Sequence, residues 1–130
     1  MKTTITINNE TLEVASNAFT PILYRQLFHK DFLQEITGFK SLVGKKADDY
    51  TEEDLRNFTE RSEAFARIAF VMAKQAEIGT AAELMKLKLE DFYEFLFKFD
   101  QNTFTQIDTL TSILAAWQGN AEDSRVEAKN

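Results

Sequence analysis

The chain has no cysteine, one proline, one histidine and four glycines in 130 residues. Without cysteine there is no thiol nucleophile, no Cys-based zinc site and no disulfide framework. With His29 as the only histidine, no His-rich metal site can be assembled, and a lone histidine beside Lys30 and Asp31 on a helix reads as a surface residue rather than a base. No Asp-x-Asp-x-Asp-Gly calcium loop, phosphate-cradling glycine spacing, Walker motif or Gly-x-Ser-x-Gly elbow is present. The acidic pairs at Asp48-Asp49, Glu52-Glu53-Asp54 and Glu90-Asp91 stand at or just before expected helix starts, where the helix dipole alone favours them. Neither an enzyme nor a cofactor is expected. No apolar run approaches the ~20 residues of a membrane crossing, and Met1-Lys2-Thr3-Thr4 opens no signal-peptide core, so a soluble intracellular protein is expected. The net charge of -6 argues against nucleic acid, whose phosphates need clustered Lys and Arg.

Aromatic residues are plentiful: twelve Phe, three Tyr and one Trp. That is more ring area than a small helical core requires, and large exposed apolar patches usually mark binding sites. Charge is unevenly spread. Residues 1–47 balance at +2 and residues 48–63 at -5, which reads either as a solvated acidic helix start or as a polarity that orients partners.

The pattern predicts a mainly α fold: an N-terminal β-hairpin followed by a bundle of about four helices, in one domain over residues 1–118, with a disordered tail at 119–130. Residues 3–14 alternate apolar and polar side chains around an Asn/Glu centre. With Asn9-Glu10 as the turn, Ile5, Ile7, Leu12 and Val14 share one face, and the hairpin serves as a lid or an edge, not a core. This face is a candidate for self-association. Thr20-Pro21 marks a helix start, with the Thr20 hydroxyl available as a cap, and the helix is expected to run to about Ile36 with Gly38 ending it. Residues 40–50 read as a mobile connection.

Thr51-Glu52-Glu53-Asp54 resembles a capping box opening a long helix. Its seam of Leu55, Phe58, Ser62, Phe65, Ala69, Met72 and Ala76 steps by threes and fours, and small residues at Ser62, Ala66, Ala69, Ala73 and Ala76 would admit a second helix. An ordinary central core helix is the plainer reading; a partner interface through Phe65, Ala69 and Met72 is the functional one. Residues 81–87 read as a short connector. In residues 89–99, helical spacing puts Phe92, Phe95, Leu96 and Phe99 on one stripe and Tyr93 with Phe97 on a second, whereas period two would line Tyr93, Phe95, Phe97 and Phe99 along a strand. Helix is preferred, for its acidic start and helical neighbours. Two stripes do not easily both face inward, which makes this segment the strongest partner-binding candidate. Phe104, Ile107, Leu110, Ile113, Leu114 and Trp117 trace the last amphipathic helix, ended by Gly119-Asn120.

The opening Ile5-Thr-Ile-Asn-Asn-Glu-Thr-Leu-Glu-Val14, then Ala18-Phe-Thr-Pro-Ile-Leu-Tyr-Arg-Gln-Leu-Phe28, Asp31-Phe-Leu33, Ala66-Arg-Ile-Ala-Phe-Val-Met-Ala-Lys-Gln-Ala76 and Asp91-Phe-Tyr-Glu-Phe-Leu96, resembles the tail assembly chaperones of long, flexible-tailed bacteriophages and prophages of Gram-positive hosts. The resemblance spans residues 1 to about 118. It implies a small helical protein of the host cytoplasm, absent from the mature virion, that coats the tape measure protein, keeps it soluble and helps recruit tail tube subunits, with a possible homo-oligomer. It also implies a longer product made by frameshifting in some members. A generic prophage or host adaptor is the alternative expectation. A small-molecule-binding or enzymatic domain would need a closed polar pocket built from Tyr24, Arg25, His29 and carboxylates.

Overall fold

A computed structural model describes residues 2–7, 9–40, 47–106 and 108–117. The fold is mainly helical with an N-terminal antiparallel hairpin: β1 (Lys2–Ile7), β2 (Glu10–Ala15), α1 (Thr20–Phe28), α2 (Phe32–Lys40), a 3-10 turn (Ala47–Asp49), α3 (Glu52–Glu60), α4 (Ser62–Glu77), α5 (Ala81–Leu84), α6 (Leu89–Leu96), a second 3-10 turn (Thr103–Thr105) and α7 (residues 108–117).

The centre is α4. Eleven of its side chains are buried, among them Phe65, Ile68, Ala69, Phe70, Val71 and Met72 at 0% exposure. A helix apolar on nearly every side must be enclosed by other elements, and β2, α1, α6 and the second 3-10 turn all pack on it. The plainer expectation for this segment therefore holds. It does not form one helix with its upstream part: the chain leaves helical geometry at Arg61 (φ -103°, ψ 7°), which separates α3 from α4. The break falls between Thr59 and Ser62, both weak helix formers. The seam is broken with it, since Leu55 on α3 is 48% exposed. The capping box before α3 is present: the Asp54 amide donates to the Thr51 hydroxyl and the Thr51 amide to the Asp54 carboxylate, each at 3.1 Å.

The hairpin is part of the core rather than a lid. Ile7 and Val14 are 1% exposed and Ile5 is buried, because β2 lies along α4. Ile5 pairs with Leu12 and Ile7 with Glu10, so the turn sits one residue earlier than Asn9-Glu10. Asn9 takes a left-handed conformation (φ 66°), which Asn tolerates better than Glu. Ile5, Ile7, Leu12 and Val14 do share a face as expected, but that face is turned onto the domain, which removes the first, second and last of them from any surface available for self-association.

The expected helix over 20–36 is two helices. His29 adopts a left-handed conformation (φ 58°) and its amide closes the helix on the Arg25 carbonyl at 2.8 Å. Asp31 then starts α2 by accepting from the Gln34 amide at 2.9 Å. Asp31-Phe-Leu-Gln34 was a readable start signal inside the apolar periodicity that masked it. α2 passes Gly38 and ends at Lys40. α6 is a helix, as preferred, but closes at Leu96 rather than near Phe99. Phe104 belongs to the 3-10 turn, and α7 begins at residue 108 after extended Gln106. Residues 41–46, Ile107 and the segment from 118 onward, including the expected tail and the Gly119-Asn120 stop, lie outside the described residues.

Thr20 is not a helix cap. Its hydroxyl accepts from the Asn17 amide at 3.0 Å and donates to the Gln75 side-chain carbonyl, while the Gln75 amide donates to Asn17 Oδ1 at 2.9 Å. These contacts tie the β2–α1 connection to α4. Gln75→Leu should leave the buried Thr20 hydroxyl without its acceptor and cost about 2 kcal/mol, measurable by urea unfolding.

Candidate functional site

The rings form a nearly continuous chain through the domain. From Trp117 it passes to Phe32 (4.7 Å between centroids), Tyr24 (5.2 Å), Phe28 (5.2 Å), Phe92 (5.0 Å), Phe70 (5.5 Å), Phe95 (5.4 Å), Phe99 (5.1 Å) and Phe104 (5.4 Å). Most of these contacts are edge-on, the geometry favoured by ring quadrupoles. Much of the aromatic surplus is thus consumed inside the fold.

α6 is the exception, because it carries rings on two sides. Phe92 and Phe95 face α4 and are 2% and 6% exposed, with Leu96 and Phe99 half-buried beside them. Tyr93 is 57% exposed and Phe97 90%. Leu89, four residues before Tyr93, is exposed as well, so Leu89, Tyr93 and Phe97 form a row one helical turn apart on the outer face, with exposed Met85 just ahead of it. An eight-residue helix lying against α4 can turn only one side to it. Of the residues singled out in the sequence, Tyr93 and Phe97 are therefore on display, Leu96 and Phe99 are at the margin, Phe95 is buried but borders a surface groove, and Phe92, Phe65, Ala69 and Met72 are core residues that no partner reaches without opening the domain. Leu89 and Met85 were missed. Leu89 continues the i, i+4, i+8 spacing of Tyr93 and Phe97 and was readable from it.

Between β2 and α6 runs a groove floored by Ala73 and Ala76, walled by Leu12, Phe95 and Phe99, and edged by Glu10, Glu13, Glu77, Lys74 and Lys98. Small residues of α4 thus lie beside the hairpin, with Ala73 and Ala76 at the groove.

A polar cluster joins α1, α2 and α4. Arg67 donates from Nε to the Tyr24 hydroxyl (3.0 Å), from Nη2 to Glu35 (3.2 Å) and from Nη1 to Glu63 (2.8 Å), and lies over the Phe28 ring at 5.8 Å; Tyr24 in turn donates to Glu35 at 3.0 Å. Burial pushes the Tyr24 hydroxyl well above its ordinary pKa, outweighing the neighbouring Arg67 charge, and Arg67 is held more firmly charged, against its own desolvation, by Tyr24 and Glu35. All three side-chain nitrogens of Arg67 and the Tyr24 hydroxyl meet partners within the cluster, as suits a cross-link between helices. Tyr24, Arg25 and His29 do not converge: Tyr24 is sealed in the core, Arg25 is exposed, and His29 lines an open depression with Lys30, Asp31, Gln34 and Glu35. Among the described residues no group of three or more His, Asp or Glu side chains could hold a metal ion, and no helix is long and apolar enough to cross a membrane.

Two expectations follow. Phe97→Ser should leave stability within about 0.5 kcal/mol of the parent, whereas Phe92→Ala should cost about 3–5 kcal/mol, both read from urea midpoints. Because the fold favours neutral Tyr24, its contribution is complete below the unfolded pKa of about 10 and is lost as pH rises above it. Unfolding free energy should accordingly fall between about pH 9 and 11 more steeply in the parent than in Tyr24→Phe.

No protein-family model matches the chain, and no curated protein or solved structure matches it.

Proposed function

We propose that the chain is a tail assembly chaperone of a long, flexible-tailed phage or prophage, a non-catalytic protein that binds the tape measure protein, keeps it soluble and helps recruit tail tube subunits around it in the host cytoplasm. The observation that carries this reading is the outer row of α6, where a phenylalanine 90% exposed and a tyrosine 57% exposed stand on a domain whose other described rings are buried or half-buried. Large apolar side chains left in water on one helix face suit an amphipathic client segment laid alongside. The resemblance in residues 5–14, 18–28, 31–33, 66–76 and 91–96 supports the same reading. A tape measure protein is a very long helical chain, so many weak contacts, each with one copy of the chaperone, would hold it in solution through avidity. An acidic balance suits a protein that must stay soluble at high copy number.

Coexpression with a tape measure protein from the same genome tests the function. The client should remain in the soluble fraction with the parent chain and precipitate without it. A client equally soluble in both cases defeats the proposal, and a gene neighbourhood without tail genes would favour the adaptor instead.

A further inference from the structure

The outer face of α6 is chemically lopsided. Glu90 follows Leu89 and Glu94 follows Tyr93, each about 100° round the helix axis, so the two carboxylates form a row along one edge of the apolar stripe. The other edge passes through half-buried Leu96 to buried Phe92 and the core. Both Glu90 and Glu94 are exposed, and neither has an ion-pair partner among the described residues. The basic residues nearest in sequence make no ion pair with them: Lys86 pairs with Glu83 at 3.1 Å, Lys88 precedes the helix at its N-cap, and Lys98, four residues after Glu94, lines the groove that Glu10 and Glu13 also line. Two like charges four residues apart are mildly unfavourable for a helix, and the dipole of the first turn accounts for Glu90 but not for Glu94. Exposed rings and an unneutralised acidic row thus lie side by side on one short element, each locally disfavoured and each relieved by the same kind of partner.

We propose that the outer face of α6 docks an amphipathic helix of another polypeptide whose apolar stripe is edged by Lys or Arg on one side. Leu89, Tyr93 and Phe97 receive the apolar stripe, and Glu90 and Glu94 meet the basic edge, which fixes the direction and rotation of the bound helix. The inference rests on α6 being the client-binding element and adds what the client segment must look like.

The test uses the full chain and two fluorescent synthetic helical peptides of about 20 residues with the same leucine stripe, one edged with Lys and one with Glu. In low salt, anisotropy titration should show the Lys-edged peptide binding about tenfold tighter, the difference expected from two surface ion pairs, and the preference should collapse near 0.5 M salt. Glu90→Lys with Glu94→Lys should reverse the preference, and Phe97→Asp should abolish binding of both peptides. All three substitutions are at exposed positions, and unchanged thermal unfolding verifies that the variants are folded. Equal affinity for the two peptides, no binding of the Lys-edged peptide, or a preference unmoved by the charge reversal overturns the proposal. Coexpression separates this failure from that of the chaperone function. A tape measure protein kept soluble by the parent and equally by the triple variant overturns the docking face and leaves the chaperone function standing. A tape measure protein insoluble with the parent, together with a charge-switched peptide preference, does the reverse.

Discussion

The enclosure of α4 is the constraint on which the rest of the domain depends. A sixteen-residue helix with eleven buried side chains offers almost no face to water, so the chain has to supply neighbours around it. The hairpin, too small to be stable alone, gains its stability by lying along α4. The rings of α1, α2, α6 and the second 3-10 turn link edge to face around the same helix. Once those demands are met, the far side of α6 is where, among the described residues, large apolar side chains remain exposed in a row. The exposed stripe is what remains when a short helix with rings on two sides is laid against a core that accepts one side.

Enclosure also dictates how the polar side chains of α4 are used. Arg67 has little access to water, its side chain being only 11% exposed. Its charge is instead met by Glu35, Glu63 and the Tyr24 hydroxyl. A half-buried ion pair of this kind contributes little net stability compared with an apolar replacement, but loss of one partner leaves the other uncompensated. Lys74 follows the same logic at the rim, pairing with Glu77 while its ammonium lies over the Phe70 ring.

Element types were legible in the sequence because periodicity is a direct record of burial. The alternation in residues 3–14 gave a hairpin with its apolar face correctly assigned, and the two stripes of residues 89–99 gave one inward and one outward row. Element ends were less legible, for identifiable reasons. Apolar spacing runs uninterrupted across His29 and across Arg61, and neither break carries the glycine or proline that usually marks one; the left-handed His29 and the Asp31 cap act locally under a pattern that averages over turns. The hairpin turn was misplaced by one residue because Asn9, not a glycine, supplies the positive φ. For the candidate site, spacing identified Tyr93 and Phe97 but could not separate them from Phe92 and Phe95, since the side facing α4 is fixed by tertiary packing. The seam of Phe65, Ala69 and Met72 reads identically for a partner interface and for a core, and here it is core.

Apolar surface by itself is a poor judge of rotation. Turned about its axis, α4 would still present alanine, isoleucine or phenylalanine in most directions, and many such settings would bury comparable hydrocarbon. Gln75 discriminates among them. The native setting brings its carboxamide to both Thr20 and Asn17, whereas a rotation that turned it into the core away from them would leave a primary amide unpaired in hydrocarbon. Gln75 thereby acts as a polar key on one side of α4, and Arg67, meeting Tyr24 and Glu35, is its counterpart on α1 and α2, so the two together favour one rotation among settings of similar compactness.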